Sequence, residues 1–236
     1  AKKKPREIAE ALVKKLGDAG GLISRAEIAG PGFVNFFIAE SAWQRALGEV
    51  LAAGEKFGQL EIGAGKKVLL EYVSANPTGP LHVGHGRQAA VGDALARLLR
   101  AAGYAVHREY YINDAGSQVT TLGASIYARY REKLGLPFAF PEKGYPGEYV
   151  QEIAAKLAAR DGDAITKLPD GEAALKCARE GVVILLKVIE DELSRFGVGF
   201  EQWFSERALV ERGEVDVALA KLQAAGHLYE KEGALW

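Results

Sequence analysis

The sequence predicts an α/β protein built on a parallel sheet with a helical insertion, preceded by a small α+β module. The apolar run KVLLEYVSA at 67 to 75 is typical of a buried strand, and YAVHREYYI at 104 to 112 predicts a second one. Between them, GHGRQAAVGDALARLLRAAG at 84 to 103 has the spacing of a helix that ends at a glycine. A strand, a helix and a strand in succession form a βαβ unit, which requires a parallel sheet with helices on its faces.

The small module occupies the start of the chain. REIAEALVKKL at 6 to 16 places apolar residues at helical intervals, FVNFFI at 33 to 38 predicts a strand, and a second helix is predicted at 41 to 54. GEKFGQLEIGAG at 54 to 65 is rich in glycine and predicts a linker. We therefore predict two domains, 1–60 and 61–236.

Beyond the βαβ unit the chain is mostly helical. Apolar spacing and punctuating prolines predict four helices and one short strand: 117–134, 147–160, 171–196, the strand 200–206, and 208–225. In the helix at 84 to 103, Val91, Leu95, Leu98 and Ala102 fall on one stripe. We expect this apolar stripe to face the core.

Composition indicates a folded protein and limits its partners. With 48% hydrophobic and 26% charged residues among 236, the chain can bury a core. Its formal net charge of -1 means that any contact with nucleic acid depends on a local patch. The single cysteine, Cys177, excludes an internal disulfide, and no apolar run is long enough to span a bilayer. We expect a cytoplasmic protein that acts as a monomer.

The segment SANPTGPLHVGHGRQ, residues 74 to 88, indicates a ligand site. It follows the first predicted strand of the sheet, and open parallel sheets bind ligands at the carboxyl ends of their strands. Gly84 and Gly86 allow a ligand to approach the backbone, and the helix that follows supplies unpaired amides and a partial positive charge. His82 and His85 can donate hydrogen bonds to phosphate oxygens as charge develops there. The segment therefore predicts an anion site.

Three other interpretations of the same segment are open. Gly84-x-Gly86-x-x-Ala89 matches a dinucleotide fingerprint with Glu109 downstream, although two prolines separate its first glycine from the strand. The two histidines could bind a metal ion, but no cysteine or third histidine lies near them in the sequence. The glycines and prolines could also form a purely structural turn that the histidines cap.

HVGH at 82 to 85 resembles the HIGH motif of class I aminoacyl-tRNA synthetases. The longer string from Glu71 to Gln118 is similar to the arginyl-tRNA synthetase family in particular, and residues 1 to 60 resemble the later part of its tRNA-contacting N-terminal module. The resemblance implies a Rossmann-like catalytic domain. It also implies an arginine-tRNA ligase that activates arginine with ATP and Mg²⁺ to arginyl adenylate and then transfers arginine to the 3′ end of tRNA(Arg).

The resemblance further implies roles for the residues of the turn. His82 and His85 correspond to catalytic residues that stabilise the α-phosphate of ATP. Gly84 and Gly86 would let ATP lie close to the backbone. These four residues together are therefore expected to form the ATP site, and no metal ligands are predicted on the chain.

The same resemblance places the arginine site at Glu71, Ser74 and Asn76. A carboxylate at Glu71 suits this role because a guanidinium group binds a planar carboxylate well. Asn113 and Asp114, at the end of the second strand, are interpreted instead as an Asx turn that caps the next helix. They are left out of the catalytic set.

The lysine-rich KMSKS loop, which this family uses on the pyrophosphate side of ATP, has no counterpart in the 236 residues. We therefore expect this chain to be a partial catalytic fragment that is close to inactive alone. Two other functions are open. One is a nucleotidylyltransferase that uses an HxGH turn without tRNA, and the other is a non-catalytic tRNA-binding module that keeps the fold.

Overall fold

The computed structural model describes residues 3 to 236, which divide into two compact units between Gln59 and Leu60. The first unit contains two helices and an antiparallel strand pair: α1 Pro5–Leu16, β1 Ile23–Ala29, β2 Phe33–Ile38 and α2 Glu40–Ala53. Pro5 occupies the first position of α1, where its missing N–H would have no helical partner anyway. Gly17 follows the last turn with a positive φ of 59°.

β1 is absent from the sequence-based prediction because its residues ISRAEIA include polar and charged side chains with weak strand preference. Pairing with β2 overrides that weakness, for example where Glu27 lies opposite Asn35. At the hairpin, Gly32 has a φ of 148°, and a Cβ there would lie 2.8 Å from the carbonyl carbon of Pro5. Only glycine therefore allows the start of α1 to contact the hairpin turn.

The second unit confirms the predicted fold class. Its parallel sheet consists of β3 Lys67–Glu71, β4 Ala105–Ile112 and β5 Gln202–Ser205, which lie side by side in that order. The helix α3, Val83–Ala101, crosses from β3 to β4 and completes the βαβ unit. β3 is shorter than the predicted run because Val73 and Ser74 have φ values of 67° and 39°, outside the range of a strand.

The prediction for the buried face of α3 is wrong. Val91, Leu95 and Leu98 are exposed, by 64%, 42% and 68%. The buried face consists of the small residues Ala89, Gly92 and Ala96, together with the carboxylate of Asp93. A Cβ on Gly92 would overlap the ring of Tyr72, so the helix approaches the chain beside β3 too closely for large side chains.

The rest of the second unit is largely helical: α4 Ser117–Lys133, α5 Glu148–Asp161, α6 Asp170–Arg195, α7 Glu206–Glu211 and α8 Glu214–Ala224. A short hairpin follows, in which β6 Glu230–Lys231 pairs with β7 Ala234–Leu235. The prediction of one helix at 208 to 225 is wrong. Gly213 has a left-handed φ of 69°, which separates α7 from α8.

The helix α6 belongs to both hydrophobic cores of the second unit. Its first part packs with α4 and α5, where Leu185 lies in the same cluster as Leu122. Its last turns, at Ile189 and Leu193, pack with Tyr110 of β4. Each large apolar side chain buried in this way contributes about 2 kcal/mol. Helices α4, α5 and α6 are therefore joined to the sheet by continuous packing.

A charged cluster holds β5 beside β4. Glu201, directly before β5, accepts the backbone N–H of Arg108 at 2.6 Å and its guanidinium Nη2 at 2.7 Å. Arg100 of α3 also donates to Glu201, at 3.0 Å. The hydrogen bonds from the Arg108 side chain lower the pKa of Glu201 to about 2, so this carboxylate is charged at neutral pH.

Gly123→Ala is expected to destabilise the second unit. Gly123 of α4 faces α6, and a Cβ there would overlap the carbonyl oxygen of Ala174 and lie 2.6 Å from the Cβ of Ala178. Separating the helices costs about 1 to 3 kcal/mol, measured as the free energy of unfolding in urea. Gly171→Ala in α6 is the matched control, because a Cβ there meets no atom of residues 3 to 236 within 4 Å. Equal losses in the two variants would contradict the close packing.

Candidate active site

The connection from β3 to α3 leaves the sheet through an uncommon backbone geometry. Left-handed φ values at Val73 and Ser74 cost about 1 to 3 kcal/mol each, and a β-branched residue is the least tolerant of them. The neighbouring strand β4 holds the connection in place. Tyr110 Oη donates to the carbonyl of Ala75 at 2.9 Å, and Tyr111 donates its N–H to Ser74 Oγ at 3.1 Å. Burial raises the pKa of Tyr110, so its hydroxyl keeps the proton that it donates.

Two predicted arginine-site side chains are oriented by their neighbours. The Ser74 hydroxyl donates to Glu71 Oε1 at 2.7 Å, which orients this carboxylate at the carboxyl end of β3. Asn76 is oriented from the helical segment, because its Nδ2 donates to Oε1 of Gln118 in α4 at 2.8 Å. This bond turns the amide oxygen Oδ1 of Asn76 away from Gln118, where it can accept a hydrogen bond from a ligand.

A cleft of about 330 Å³ opens beside this connection. Its walls come from the connection and the first turns of α3: Val73, Ser74, Ala75, Asn76, His82, Gly84, His85, Arg87 and Gln88. Five of the seven predicted site residues therefore line one cleft. Glu71 lines an adjoining cleft of about 440 Å³, which shares Val73, Arg87 and Gln88 with the first.

The two predicted glycines differ in what the fold requires of them. A Cβ at Gly84 would lie 2.9 Å from Cε1 of His82, so glycine is needed for the ring to lie where it does. A Cβ at Gly86 would have no atom of residues 3 to 236 within 4 Å. The observed position of the His82 ring therefore requires glycine at Gly84, and the role of both glycines toward ATP stays a prediction.

The backbone holds the two histidines in one tautomer. His82 is the N-cap of α3, and its Nδ1 accepts the N–H of Gly84 at 3.1 Å. The N–H of His82 in turn donates to Nδ1 of His85 at 3.2 Å. A neutral imidazole whose Nδ1 accepts a hydrogen bond carries its proton on Nε2. The rings stack with centroids 3.8 Å apart, and each has an Nε2–H group to donate.

The environment keeps His85 neutral. Burial, and secondarily the nearby His82, lower the pKa of His85 from its usual 6.5. At pH 7 the ring therefore retains the Nδ1 lone pair that accepts the N–H of His82. The pKa of His85 is lower in the folded chain than in the unfolded chain. The stability that the neutral His85 ring contributes is therefore present above pH 6.5 and is lost as the pH falls through the folded value.

This arrangement suits an anion whose charge grows during a reaction. Two neutral donors lie at the N-terminus of α3, where unpaired amides and the helix dipole add positive potential. Donors that are already held in place stabilise developing charge without reorganising.

Sequence reasoning missed Arg87 and Gln88, which also line the cleft. Gln88 follows His85 by three positions, a helical spacing that puts both on one face.

Asp114 caps a different helix from the one expected. Its carboxylate accepts the N–H of Arg207 at 2.9 Å and the hydroxyl of Ser205 at 2.7 Å, both at the start of α7. The expected recipient, α4, has Gly116 at its N-cap and no side-chain cap. The buried carboxylate of Asp114 thus joins the end of β4 to the end of β5.

Metal-binding clusters and bilayer-spanning helices are absent from residues 3 to 236. Within this range no three or more His, Cys, Asp or Glu side chains are placed to hold a metal ion together. Over the same range no helix has both the length and the apolar character needed to cross a membrane. A metal site at His82 and His85 would therefore lack further ligands from the described residues.

Comparison with known proteins agrees with the predicted fold. Residues 46–234 match the family model described as tRNA synthetases class I (R), catalytic domain, and residues 1–38 match the arginyl tRNA synthetase N terminal domain. A curated arginine–tRNA ligase from Desulfosudis oleivorans is 50% identical over 232 residues, and one from a Geobacter species is 52% identical over 235. These matches cover 98% and 100% of this chain and 42% of each relative.

Solved structures give the same result. An arginyl tRNA synthetase from Campylobacter jejuni superposes with a TM-score of 0.70 at 34% identity, over 81% of this chain and 42% of that one. The arginyl-tRNA synthetase of Thermus thermophilus gives a TM-score of 0.62 at 28% identity, over 98% and 38%. The parallel sheet is that of the catalytic domain of a class I tRNA synthetase. Within that class the chain belongs to the arginyl-tRNA synthetase family, and it spans 42% of the length of the curated relatives.

Both histidines should be Nε2–H tautomers at neutral pH. Long-range ¹H–¹⁵N correlation spectra of the chain labelled at histidine distinguish the tautomers, and His82→Asn and His85→Asn variants assign the signals. On acidification the His85 signal is expected to titrate below pH 6.5, because burial and His82 disfavour the charged ring. An Nδ1–H tautomer for either ring would contradict the two backbone hydrogen bonds.

Proposed function

We propose that the protein carrying this chain is an arginine–tRNA ligase. It activates arginine with ATP to arginyl adenylate, releases pyrophosphate, and transfers arginine to the 3′-terminal adenosine of tRNA(Arg). The observation that carries this proposal is that Nδ1 of both His82 and His85 accepts a backbone N–H, which leaves Nε2–H of each ring to donate in the cleft that Ser74 also lines. The curated relatives named arginine–tRNA ligase support it.

His82 and His85 are assigned to the activation step. In this step a carboxylate oxygen of arginine attacks the α-phosphorus of ATP, and the bond to pyrophosphate breaks. Negative charge builds on the α-phosphate oxygens as the new bond forms. Nε2–H groups donated to these oxygens contribute most at the transition state, which raises the rate. Gly84 and Gly86, at the same helix start, allow ATP to lie close to the backbone.

Glu71, Ser74 and Asn76 are assigned to arginine. The carboxylate of Glu71 pairs with the guanidinium group through charge-assisted hydrogen bonds, and Ser74 orients that carboxylate. The Oδ1 atom of Asn76 accepts a hydrogen bond from the α-ammonium group. With both ends held, the carboxylate of arginine is directed toward the neighbouring cleft that the histidines line.

Mg²⁺ is assigned to ATP and not to the chain. This ion prefers oxygen ligands and binds through substrate phosphates with few protein ligands, and residues 3 to 236 contain no cluster of three acidic, histidine or cysteine side chains for it.

Because aminoacyl-tRNA is consumed in protein synthesis, we place the activity in the cytoplasm, and we propose a monomer. This chain alone is proposed to be close to inactive, because its sequence contains no KMSKS-like loop.

Arginine is expected to be the amino acid that supports ATP–pyrophosphate exchange by a protein of full family length that carries this chain. The measurement is incorporation of labelled pyrophosphate into ATP with tRNA(Arg) present and each standard amino acid in turn. A nucleotidylyltransferase would exchange pyrophosphate without arginine. A non-catalytic tRNA-binding module would show no exchange. Either of these results would overturn the proposal.

Two substitutions in that protein should separate the ATP site from the arginine site. His85→Ala removes one transition-state donor and is expected to lower kcat about 100- to 1,000-fold. Glu71→Gln removes the charge that pairs with the guanidinium group and is expected to raise the KM for arginine about tenfold or more, with the KM for ATP unchanged. His227→Ala, in the exposed segment after α8, is the matched histidine control. If Glu71→Gln raised both KM values equally, Glu71 would not belong to an arginine site.

A further inference from the structure

The turn between Asn76 and His82 receives a hydrogen bond from the helical segment. Tyr149, in the first turn of α5, donates its hydroxyl to the carbonyl oxygen of Thr78 at 2.7 Å. Thr78 is buried, with 8% of its surface exposed, so this carbonyl has little access to water as a replacement partner. The two prolines of the turn have no N–H groups, which limits the hydrogen bonds that its backbone can form with itself.

The ring of Tyr149 lies between glycines. A Cβ at Gly147 would lie 2.5 Å from Cε1 of the ring, and a Cβ at Gly79 would lie 3.4 Å from its hydroxyl oxygen. The ring also packs against the core formed by α4, α5 and α6. Burial, with Tyr145 as the second cause, raises the pKa of Tyr149, so the hydroxyl is protonated and donates at neutral pH.

The hydrogen bond from Tyr149 to Thr78 joins helix α5 to the backbone between two assigned site residues, Asn76 and His82. Thr78 follows Asn76 by two positions and precedes His82 by four. Gln118 of α4 already holds the side chain of Asn76. Tyr149 of α5 therefore adds a second attachment, to the main chain of the same turn. The packing of α4 and α5 thereby sets the geometry of the turn.

We propose that Tyr149 is a positioning residue of the active site, which fixes the Thr78 carbonyl and through it the places of Asn76 and His82. This inference rests on the proposed function for the reaction that the site performs. Without the hydroxyl, the buried carbonyl of Thr78 loses its partner, and the turn shifts to regain one. The donor of His82 then no longer meets the α-phosphate at the transition state, so kcat falls more than the affinity for substrates changes.

The test compares Tyr149→Phe with Tyr130→Phe in a protein of full family length. Tyr130 of α4 donates its hydroxyl to the carbonyl of Gly162 at 2.6 Å, an equivalent bond that does not involve the turn. Tyr149→Phe is expected to lower kcat for pyrophosphate exchange about tenfold, with KM values changed by less than about twofold. Tyr130→Phe is expected to leave kcat unchanged at a temperature at which both variants are folded. Equal losses of kcat would reduce Tyr149 to a role in stability and overturn the proposal.

A second readout is independent of activity. In ¹H–¹⁵N histidine spectra of this chain, Tyr149→Phe is expected to shift the signals of His82, and Tyr130→Phe is not. Gly147→Ala displaces the same ring without removing its hydroxyl, so it supplies the test if Tyr149→Phe does not fold. Unchanged His82 signals in the folded variants would overturn the positioning role. Shifted signals in a protein that lacks arginine-dependent exchange would support that role and reject only the proposed function.

Discussion

The backbone path between β3 and α3 is the constraint on which the site depends. In an ordinary strand, successive side chains point to opposite faces, which would divide the polar residues that follow Glu71 between two sides of the sheet. The left-handed angles at Val73 and Ser74 interrupt that alternation. Hydrogen bonds from β4 and the burial of Ala75 and Pro77 hold the interrupted path against its strain. As a result, side chains from the connection after β3 and from the start of α3 line a single cleft, and Glu71 lines the adjoining one.

Backbone amides, and not acidic side chains, select the histidine tautomers. A carboxylate partner on a histidine ring favours the charged form, whereas an N–H donor to Nδ1 favours the neutral form. His82 and His85 both accept such donors at Nδ1, so each ring has its Nε2–H group to donate. The helix N-terminus and Arg87 supply the positive potential of the cleft. In the proposed reaction, neutral donors would bind ATP before the chemical step less strongly than cations would, so more of their stabilisation would be gained at the transition state.

The local spacing of residues in the sequence predicts most of the fold and part of the site. The runs that became β3 and β4, with a helix between them, predict a parallel sheet because a βαβ unit restricts both strand direction and handedness. His82, Gly84 and His85 are predicted from the sequence because they fall within one turn of a helix, where local geometry alone brings them together. The resemblance to a family of synthetases adds Glu71, Ser74 and Asn76. The cleft contains Ser74 and Asn76.

By itself, the sequence determined which chemical groups the chain offers and how they are spaced within each element. Only the tertiary structure decided which groups meet across elements. Gly92 lies against Tyr72, so α3 buries small residues and not its apolar stripe. Asp114 caps α7 because β5 pairs with β4. Gln118 and Tyr149 contact the turn from 42 and 71 residues away, after the helices have packed. Such contacts depend on the joint packing of two cores, which no local periodicity encodes.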